Sequence, residues 1–384
     1  MGWLSGWQYR RKITITENSG NNLTDYQVAI DLDSNNFDFS KANSDGSDIR
    51  FTDSDGETLL SYWIEEWDSA NSKAKIWVKV PSIPANSSTD IYMYYGNANA
   101  QSESDPEQVF DFWDDFDDGV LDTNKWALTD TYPSGSNVTE HDGVLDIYMR
   151  RIPYTIKEFP YPIVIEYKWK KDTDTYCGVG VSRCDGTSNP NLYYLPNNAI
   201  IYESYKSTSD HGTAFHKIVD GTRTTDYPNY RFSVNEWYQI MFKDGKDKYT
   251  TKLMVNGTEV DSRTETTTFS KNHVSPGYAC EIDASHVYID DFRIRKYADP
   301  EPSYTIGSEG TPITGTVKLP DGTPVQGATV ISIREDTFEI VDITTSGSDG
   351  SYNLGGYSGV GNTVIVIPPS NDQNGDIKCH IQPS

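Results

Sequence analysis

The sequence has few cysteines, no long apolar run and a deficit of basic residues. Its 384 residues include four cysteines, too few and too scattered for a disulfide framework or a paired-cysteine zinc site. No stretch approaches the roughly 18 apolar residues of a membrane span, so we expect no membrane insertion. Lysine and arginine total 32 against 57 aspartates and glutamates. Because phosphate binding needs a positive patch, this balance argues against a nucleic-acid partner.

The amino terminus also lacks the pattern of a secretion signal. Residues 1–7 run directly into the strand-like segment 9–16, without a charged region followed by an apolar one. We therefore expect no signal peptide in this chain. Either an export signal has been removed, or the protein reaches an exterior without secretion, as a virion component does.

Aromatic residues, glycine and proline are abundant. The chain contains 26 Tyr, 9 Trp, 29 Gly and 19 Pro, a composition that favours strands and turns over helices. Between residues 9 and 105, alternating segments such as KITIT, YQVAIDL, AKIWVKV and IYMYY are separated by Gly, Asn, Ser or Pro. This pattern is typical of antiparallel sandwiches. The sequence predicts an all-β protein.

Two segments are expected to open and close a central sandwich. The opening segment, Asp111–Trp126, reads DFWDDFDDGVLDTNKW and combines core-type aromatics with clustered aspartates before the Asp118-Gly119 turn. In the closing segment, VYIDDFRIRK, one set of alternate residues is expected on one face and the other set on the opposite face. The first set is Val287, Ile289, Asp291, Arg293 and Arg295, and the second is Tyr288, Asp290, Phe292 and Ile294.

Three regions resemble known families. Through GWQYRRKITI, DGSDIRFTDSDG, YWIEEWD, IWVKVPSIPA and IYMYYGN, residues 3–100 resemble a domain of unknown function found in archaeal and bacterial surface proteins. Through WDDF, GVLDIY, EWY, LMVNGTEV and DDFRIR, the middle region resembles concanavalin-like or laminin-G-like jelly rolls. Through ITGTVKLPDGTPVQGATVISI and DGSYNL, the last region resembles immunoglobulin-like domains of the carboxypeptidase-regulatory or collagen-adhesin type, which act as spacers, stalks or attachment domains.

These resemblances imply three β-sandwich domains in tandem. We expect an antiparallel sandwich at residues 1–105, a jelly roll at 106–305 and a small immunoglobulin-like sandwich at 306–384. A polar, proline-containing junction is expected at 101–110. An extended linker is expected at 298–312, which reads ADPEPSYTIGSEGTP.

An enzyme function follows from the jelly-roll resemblance but fits the residues poorly. Related glycoside hydrolases carry E-x-D-x-x-E on one strand, where alternate carboxylates face one cleft. The nearest match, Glu281–His286, ends in histidine and immediately precedes the closing strand, whereas the family motif lies in mid-domain. No nucleophile elbow, phosphate loop or zinc motif is present. We therefore expect no catalysis and keep a glycan-degrading hydrolase as the alternative.

A tyrosine-rich stretch, residues 187–232, is the candidate ligand-binding region. Tyrosine rings pack on sugars and are also common on protein-binding surfaces, with Asn, Ser and Asp supplying hydrogen bonds. About half of these tyrosines are expected to be ordinary strand residues. The candidate ligand-binding residues are Tyr193, Tyr194, Tyr202, Tyr205, Tyr227 and Tyr230.

The jelly-roll resemblance also implies a structural calcium ion where the first and last strands meet. Asp115 or Asp117 would approach Asp291, and main-chain carbonyls near Gly143 would complete an oxygen shell of the kind calcium prefers. The alternative is that these aspartates cap turns and pair with Arg293 or Arg295 on the surface.

Together these patterns predict a non-catalytic protein of a cell or virion exterior, with an adhesin-like, decoration or receptor-binding role. Its jelly roll would bind a glycan or a cell-surface partner. Other virion or surface-layer proteins, or further copies of the chain, are additional candidate partners. A purely structural coat protein without a ligand is the third alternative.

Overall fold

A computed structural model describes residues 2–128, 135, 137–148, 151–160, 162–173, 177–184, 199–204, 213–219, 222–228, 230–245, 248–266, 273–278, 286–319, 321–335, 338, 340–357, 362–369 and 378–382. Of residues 182–184, 203–204, 277–278, 357 and 378–382 it describes the backbone alone. Nearly all described elements are strands, which confirms the predicted all-β class. Within these ranges no helix has the length and apolar character that crossing a membrane requires.

The elements are as follows. The first stretch contains β1 (Tyr9–Thr16), β2 (Leu23–Asp33), a 3-10 helix (Phe39–Lys41), β3 (Arg50–Thr52), β4 (Leu59–Leu60), β5 (Tyr62–Asp68), β6 (Lys73–Ile83), β7 (Ser88–Tyr95) and α1 (Pro106–Val109). The middle stretch contains β8 (Phe112–Asp114), β9 (Trp126–Leu128), β10 (Asn137–His141), β11 (Val144–Tyr148), β12 (Pro153–Thr155), β13 (Ile163–Lys171), β14 (Cys177–Cys184), β15 (Ala199–Ser204), β16 (Thr213–Val219), β17 (Thr222–Asp226), β18 (Tyr238–Asp244), β19 (Lys248–Val255), β20 (Thr258–Thr266), β21 (His273–Tyr278) and β22 (His286–Lys296). The last stretch contains β23 (Ser303–Lys318), β24 (Thr329–Arg334), β25 (Ile340–Thr345), β26 (Ser351–Tyr357), β27 (Asn362–Ile367) and β28 (Lys378–Gln382).

The chain divides into two compact units, and the first is built from both ends of the sequence. The first unit comprises Met1–Val109 and Pro300–Ser384, and the second comprises Phe110–Asp299. In the first unit one sheet runs β26-β23-β1-β7-β3-β4, with β28 also paired to β23. Two three-stranded sheets, β2-β6-β5 and β25-β24-β27, complete this unit.

Strand β23 replaces the linker that the sequence predicts at 298–312. Its first half pairs with β1, for example Ile306 with Ile13, and its second half pairs with β26, for example Ile313 with Leu354. The linker prediction is therefore wrong from Ser303 onward. The glycines and prolines there favoured a linker, but their backbone groups are satisfied by two partner strands that are distant in sequence. The expected boundary at 305/306 falls inside this strand.

The second unit is an antiparallel sandwich of two main sheets, with an additional two-stranded sheet formed by β9 and β12. The larger sheet runs β10-β11-β22-β13-β18-β19-β20, and the smaller runs β17-β16-β15-β14-β21. Apolar residues from both sheets meet in one core. Its larger buried members include Trp126, Tyr167, Trp169, Tyr202, Tyr238 and Phe242. We call the side of the larger sheet that points away from this core the outer face.

The opening and closing segments pair as predicted, but the closing strand contains a bulge. Strand β8 pairs antiparallel with β22, so Trp113 lies opposite Arg293. Asp291 has φ +51°, and the register with β13 shifts by one residue there. The extra residue reverses the alternation. Val287 and Ile289 face the core before the bulge, and Phe292 and Ile294 after it, so the predicted strict alternation is wrong.

Candidate functional site

Three of the six candidate tyrosines lie within the described residues, and their environments differ. Tyr193, Tyr194 and Tyr205 lie outside the described residues. Tyr202 is fully buried, and its hydroxyl donates to Asp261 Oδ2 at 2.8 Å. Its ring belongs to the core, which corrects its assignment to a surface site. Tyr230 is partly buried, with its ring centroid 5.5 Å from that of Phe232, whereas Tyr227 is 48% exposed.

A different set of rings forms a row on the outer face of the larger sheet. The His286 ring centroid lies 4.7 Å from that of Tyr148 and 5.9 Å from that of Tyr288. The Lys170 ammonium lies 5.1 Å from the Tyr288 ring and 4.7 Å from the Trp237 ring. We call these five residues the aromatic row. All five are partly exposed, so part of each side chain is accessible to a ligand.

The sheet register produces this row. Tyr148 lies opposite His286 in the β11–β22 ladder, and Tyr288 lies opposite Lys170 in the β22–β13 ladder. Since successive side chains alternate across a strand, these four share one face while their neighbours Ile147 and Val287 enter the core. The row therefore passes from β11 to β22, takes one step along β22 from His286 to Tyr288, and continues to β13.

An aspartate lies beside the row between two histidines. Asp146 accepts from His286 Nδ1 at 2.7 Å and from His141 Nε2 at 3.0 Å, and its side chain is 8% exposed. The hydrogen bond with Asp146 raises the pKa of His141. The surface thus offers partly exposed rings together with an ammonium and imidazole groups, and the largely buried Asp146 carboxylate holds the two histidines in place. That combination suits a ligand with both apolar faces and hydroxyl groups.

Sequence reasoning missed the aromatic row because its members are far apart along the chain. The segments VLDIY and HVYID each show the alternation of a half-buried strand. Their outward residues could have been read as Asp146 and Tyr148 in one, and His286 and Tyr288 in the other. Placing these residues side by side required the β11–β22 pairing, which alternation alone does not specify.

The predicted calcium residues converge in part on one corner of the same sheet. A Cβ at Gly143, where φ is +72°, would lie 2.7 Å from Asp117 Oδ1. Burial, together with the charges of Asp291 and Asp117, raises the pKa of Asp290 to about 6. Asp117 therefore lies beside Gly143 and within electrostatic range of Asp290.

Lysine, and not arginine, is the basic partner at this corner. Asp291 pairs with Lys168, whose ammonium also lies 3.9 Å from Asp290 Oδ2. The alternative prediction placed Arg293 and Arg295 on the surface, and this is wrong because both side chains are 3% exposed. Both arginines instead contact Glu166, because the bulge at Asp291 turns them toward that residue.

Asp115 lies in the same acidic segment, next to a buried aspartate. Burial raises the pKa of Asp114, and the charge of Asp115 adds to the shift. Asp114 accepts a 2.7 Å hydrogen bond from Trp126 Nε1, which ties it to the core. Across the described ranges, no group of three or more His, Cys, Asp or Glu side chains is arranged to hold a metal ion.

A second acidic pair adjoins this corner. Burial, the hydrogen bond to Asp118 and the charge of Asp114 together raise the pKa of Glu140 to about 7. Glu140 also accepts from the backbone N–H of Gly119 at 2.9 Å. The pKa of Asp118 is lowered by the backbone N–H of Val120 and by the hydrogen bond from Glu140. The proton of the pair therefore resides on Glu140.

This pair predicts a pH dependence of stability. The folded-state pKa of Glu140 exceeds its ordinary value of 4.5, so its favourable contribution is complete below about 4.5 and is lost as pH rises through about 7. We expect Glu140→Gln, which keeps the hydrogen-bonding shape without a titrating proton, to melt at a higher temperature than the wild type at pH 8. At about pH 4, below the ordinary pKa of glutamate, the two should agree. Glu259→Gln, a change at an exposed glutamate, is the control. If the melting temperatures of the wild type and of Glu140→Gln changed with pH in parallel, this assignment would be contradicted.

Comparisons with known proteins match parts of the chain. Residues 45–129 match a family described as Domain of unknown function (DUF2341), which confirms the resemblance to a domain of unknown function over 45–100. A protein of Methanocaldococcus jannaschii, named Uncharacterized protein MJ1472, is 30% identical over 131 residues, which cover 31% of this chain and 24% of that protein. The chain thus spans about a quarter of this relative's length.

Solved structures show distant similarity to the chain. A seed lectin of Lotus tetragonolobus is 9% identical (TM-score 0.36) and is matched over 50% of this chain and 97% of the lectin. A Bacillus licheniformis beta-glucanase is 12% identical (TM-score 0.35), with 48% and 98% covered. The carbohydrate binding module CBM66 of Bacillus subtilis is 9% identical (TM-score 0.33), with 45% and 96% covered. At these TM-scores the likenesses carry no conclusion about what this chain binds.

Proposed function

We propose that the chain is a non-catalytic glycan-binding protein of a cell or virion exterior, and that the aromatic row is its glycan-binding surface. The observation that carries this proposal is the alignment of Tyr148, His286 and Tyr288 on one sheet face, beside the Asp146 carboxylate. Sugar rings present apolar C–H faces that pack on aromatic rings. Their hydroxyls exchange hydrogen bonds with imidazole and ammonium groups.

The charges beside the row favour a neutral or weakly charged glycan. Asp146 supplies a negative charge next to His286, and Lys170 supplies a positive charge between Tyr288 and Trp237. Opposite charges on one small surface offset each other, so strong attraction to a polyanion is not expected. The exterior location is supported by the resemblance of the first and third regions to modules of surface proteins.

A glycan array tests this function. We expect the wild-type protein to bind a subset of immobilised glycans, and Tyr288→Ala to lose that binding because it removes the central ring of the row. Tyr227→Ala, which removes an exposed tyrosine elsewhere in the same unit, is the matched control and should bind as the wild type does. Absence of binding to every glycan would favour the structural coat alternative. Release of reducing sugar from a bound glycan would favour the hydrolase alternative.

We also propose a calcium ion at the acidic corner, held by carboxylate oxygens of Asp117 and Asp291 with main-chain oxygen near Gly143. Burial, together with repulsion from Asp291 and Asp117, raises the pKa of Asp290 to about 6, and a divalent cation bound to the neighbouring carboxylates would relieve that repulsion. Such an ion would supply structural stability to this corner. It would also compete with Lys168 for Asp291.

Thermal melts with calcium and with a chelator test this site. Free calcium at 100 times its Kd would stabilise the native state by about 2.7 kcal/mol. We therefore expect a higher melting temperature in calcium, and no such difference in Asp291→Ala. Asp299→Ala, an exposed aspartate beyond β22, is the control and should keep the calcium response. Equal wild-type melting temperatures in calcium and chelator would exclude a stabilising site.

A further inference from the structure

The first unit contains a groove that is separate from the aromatic row. It has a volume of about 740 Å³ and lies between the segment that follows β2 and the turn that joins β5 to β6. Ligand sites in proteins commonly measure about 300–1,000 Å³. The groove is therefore large enough for a small organic ligand.

The lining of this groove is rich in hydroxyl groups and poor in charge. Its serines are Ser34, Ser40, Ser44, Ser69 and Ser72, and Phe37 and Phe39 also contribute to the lining. The chain has 57 acidic residues among 384, yet Asp38 is the one carboxylate in this lining. The groove thus differs in chemistry from the generally acidic sequence around it.

The two charged residues of the lining already have partners within the protein. Asp38 accepts from the backbone N–H of Ser40 at 3.1 Å and from its hydroxyl at 2.6 Å. Arg11 donates to the Tyr95 hydroxyl at 3.2 Å and to the Gly307 carbonyl at 3.0 Å. An anionic ligand would be repelled by the Asp38 carboxylate, and the Arg11 guanidinium already has other hydrogen-bond partners. Hydroxyl groups are therefore the main polar groups that the groove offers to a ligand.

The walls of the groove are held in place by the fold. The Phe37 ring packs 4.7 Å from Tyr95 and 5.9 Å from Trp67, which anchors the segment after β2 on the aromatic core of the unit. The Ser69 hydroxyl donates to the Ser44 carbonyl at 3.1 Å and joins the two walls. A site held in this way loses little conformational entropy when a ligand binds.

We infer that this groove binds a neutral saccharide unit. Serine hydroxyls both donate and accept hydrogen bonds, so they can match the hydroxyls of a sugar in either direction. Phe37 and Phe39 supply the apolar part of the lining for the C–H groups of the ring. The first unit would then carry a saccharide site of its own, independent of the jelly-roll surface.

Saturation-transfer NMR on the full chain tests the inference, with maltotriose, mannotriose and chitotriose as neutral probes and glucuronate and inorganic phosphate as anionic ones. The Tyr288→Ala protein is the starting material, so that the jelly-roll surface does not contribute. We expect at least one neutral probe to give a saturable signal. Ser44→Trp and Ser34→Trp, which each place an indole in the groove, should weaken that binding at least tenfold.

The controls separate this inference from the proposed function. Ser54→Trp, an exposed serine in the turn between β3 and β4, should bind the probe as strongly as its parent. Retention of full binding in both groove variants, or absence of any neutral probe signal, would overturn the inference. Binding of phosphate or glucuronate in place of the neutral probes would also overturn it. None of these results depends on whether the aromatic row binds a glycan.

Discussion

Replacing Arg10 by methionine is expected to lower the free energy of unfolding by about 3–5 kcal/mol, the usual cost of removing one partner of a buried ion pair. Arg10 Nη2 lies 3.2 Å from Asp342 Oδ2, and the two side chains are 5% and 0% exposed. Arg10 also donates to the Tyr94 hydroxyl at 2.9 Å, and its guanidinium carbon lies 4.3 Å from the Tyr92 ring. Methionine would fill much of the space but would leave the Asp342 carboxylate buried without this cation.

The pair joins the two ends of the sequence, because Arg10 lies on β1 and Asp342 on β25. Lys12→Met is the matched control on the same strand. Its ammonium lies 3.6 Å from Asp90, but both side chains are about one-third exposed, and such pairs contribute about 0–1 kcal/mol. Chemical denaturation of the two variants measures the difference. Equal losses of unfolding free energy in Arg10→Met and Lys12→Met would show that the buried pair does not stabilise the unit.

Glu166→Gln is expected to cost a similar amount, about 3–5 kcal/mol, in the second unit. The Glu166 carboxylate receives Arg293 Nε at 3.0 Å and Arg295 Nε at 3.2 Å, and all three side chains are 3% exposed. Two guanidiniums share this one carboxylate oxygen. Glutamine retains an acceptor but removes the negative charge, so the two buried cations would repel each other with less compensation.

Glu259→Gln provides the matched control for this change. Glu259 pairs with Lys252 across a hairpin at 2.8 Å, and the two side chains are 44% and 40% exposed. Its loss should cost about 1 kcal/mol or less. Denaturant titrations of both variants against the wild type provide the comparison. If Glu166→Gln were no more destabilising than Glu259→Gln, the buried charges would have to be stabilised by other groups.

The strand content and the contact between the opening and closing segments could be predicted from the sequence. Period-2 alternation is a local property, and it correctly indicated strands in both units. The bulge at Asp291 was missed, although the spacing of three between Ile289 and Phe292 was a usable signal. In a strand without a bulge, two residues of one face are separated by an even number of positions.

Strand β23 could not be recognised in the same way. Its sequence contains Gly307, Gly310 and Pro312, which normally indicate a loop. It is a strand because β1 and β26 provide hydrogen-bond partners on its two halves. The pairing with those strands depends on tertiary structure, which cannot be predicted from a short segment of sequence.

Prediction of the candidate binding surface from the sequence was limited for the same reason. Composition identified a tyrosine-rich stretch but could not tell the buried Tyr202 from the exposed Tyr227. The aromatic row was missed because Tyr148 and His286 are neighbours only across a strand pairing. The acidic corner was predicted more closely, since its members flank two segments already expected to meet.

Calorimetric titration of the best glycan from the array tests the central claim most directly. It should be carried out on the wild type, Tyr288→Ala and Tyr227→Ala, which compares a ring of the aromatic row with a tyrosine of the predicted stretch. We predict that Tyr288→Ala weakens binding at least tenfold, or about 1.4 kcal/mol, and that Tyr227→Ala binds as the wild type does. Loss of binding in Tyr227→Ala, with unchanged binding in Tyr288→Ala, would contradict the account and would locate the site on the tyrosine-rich stretch.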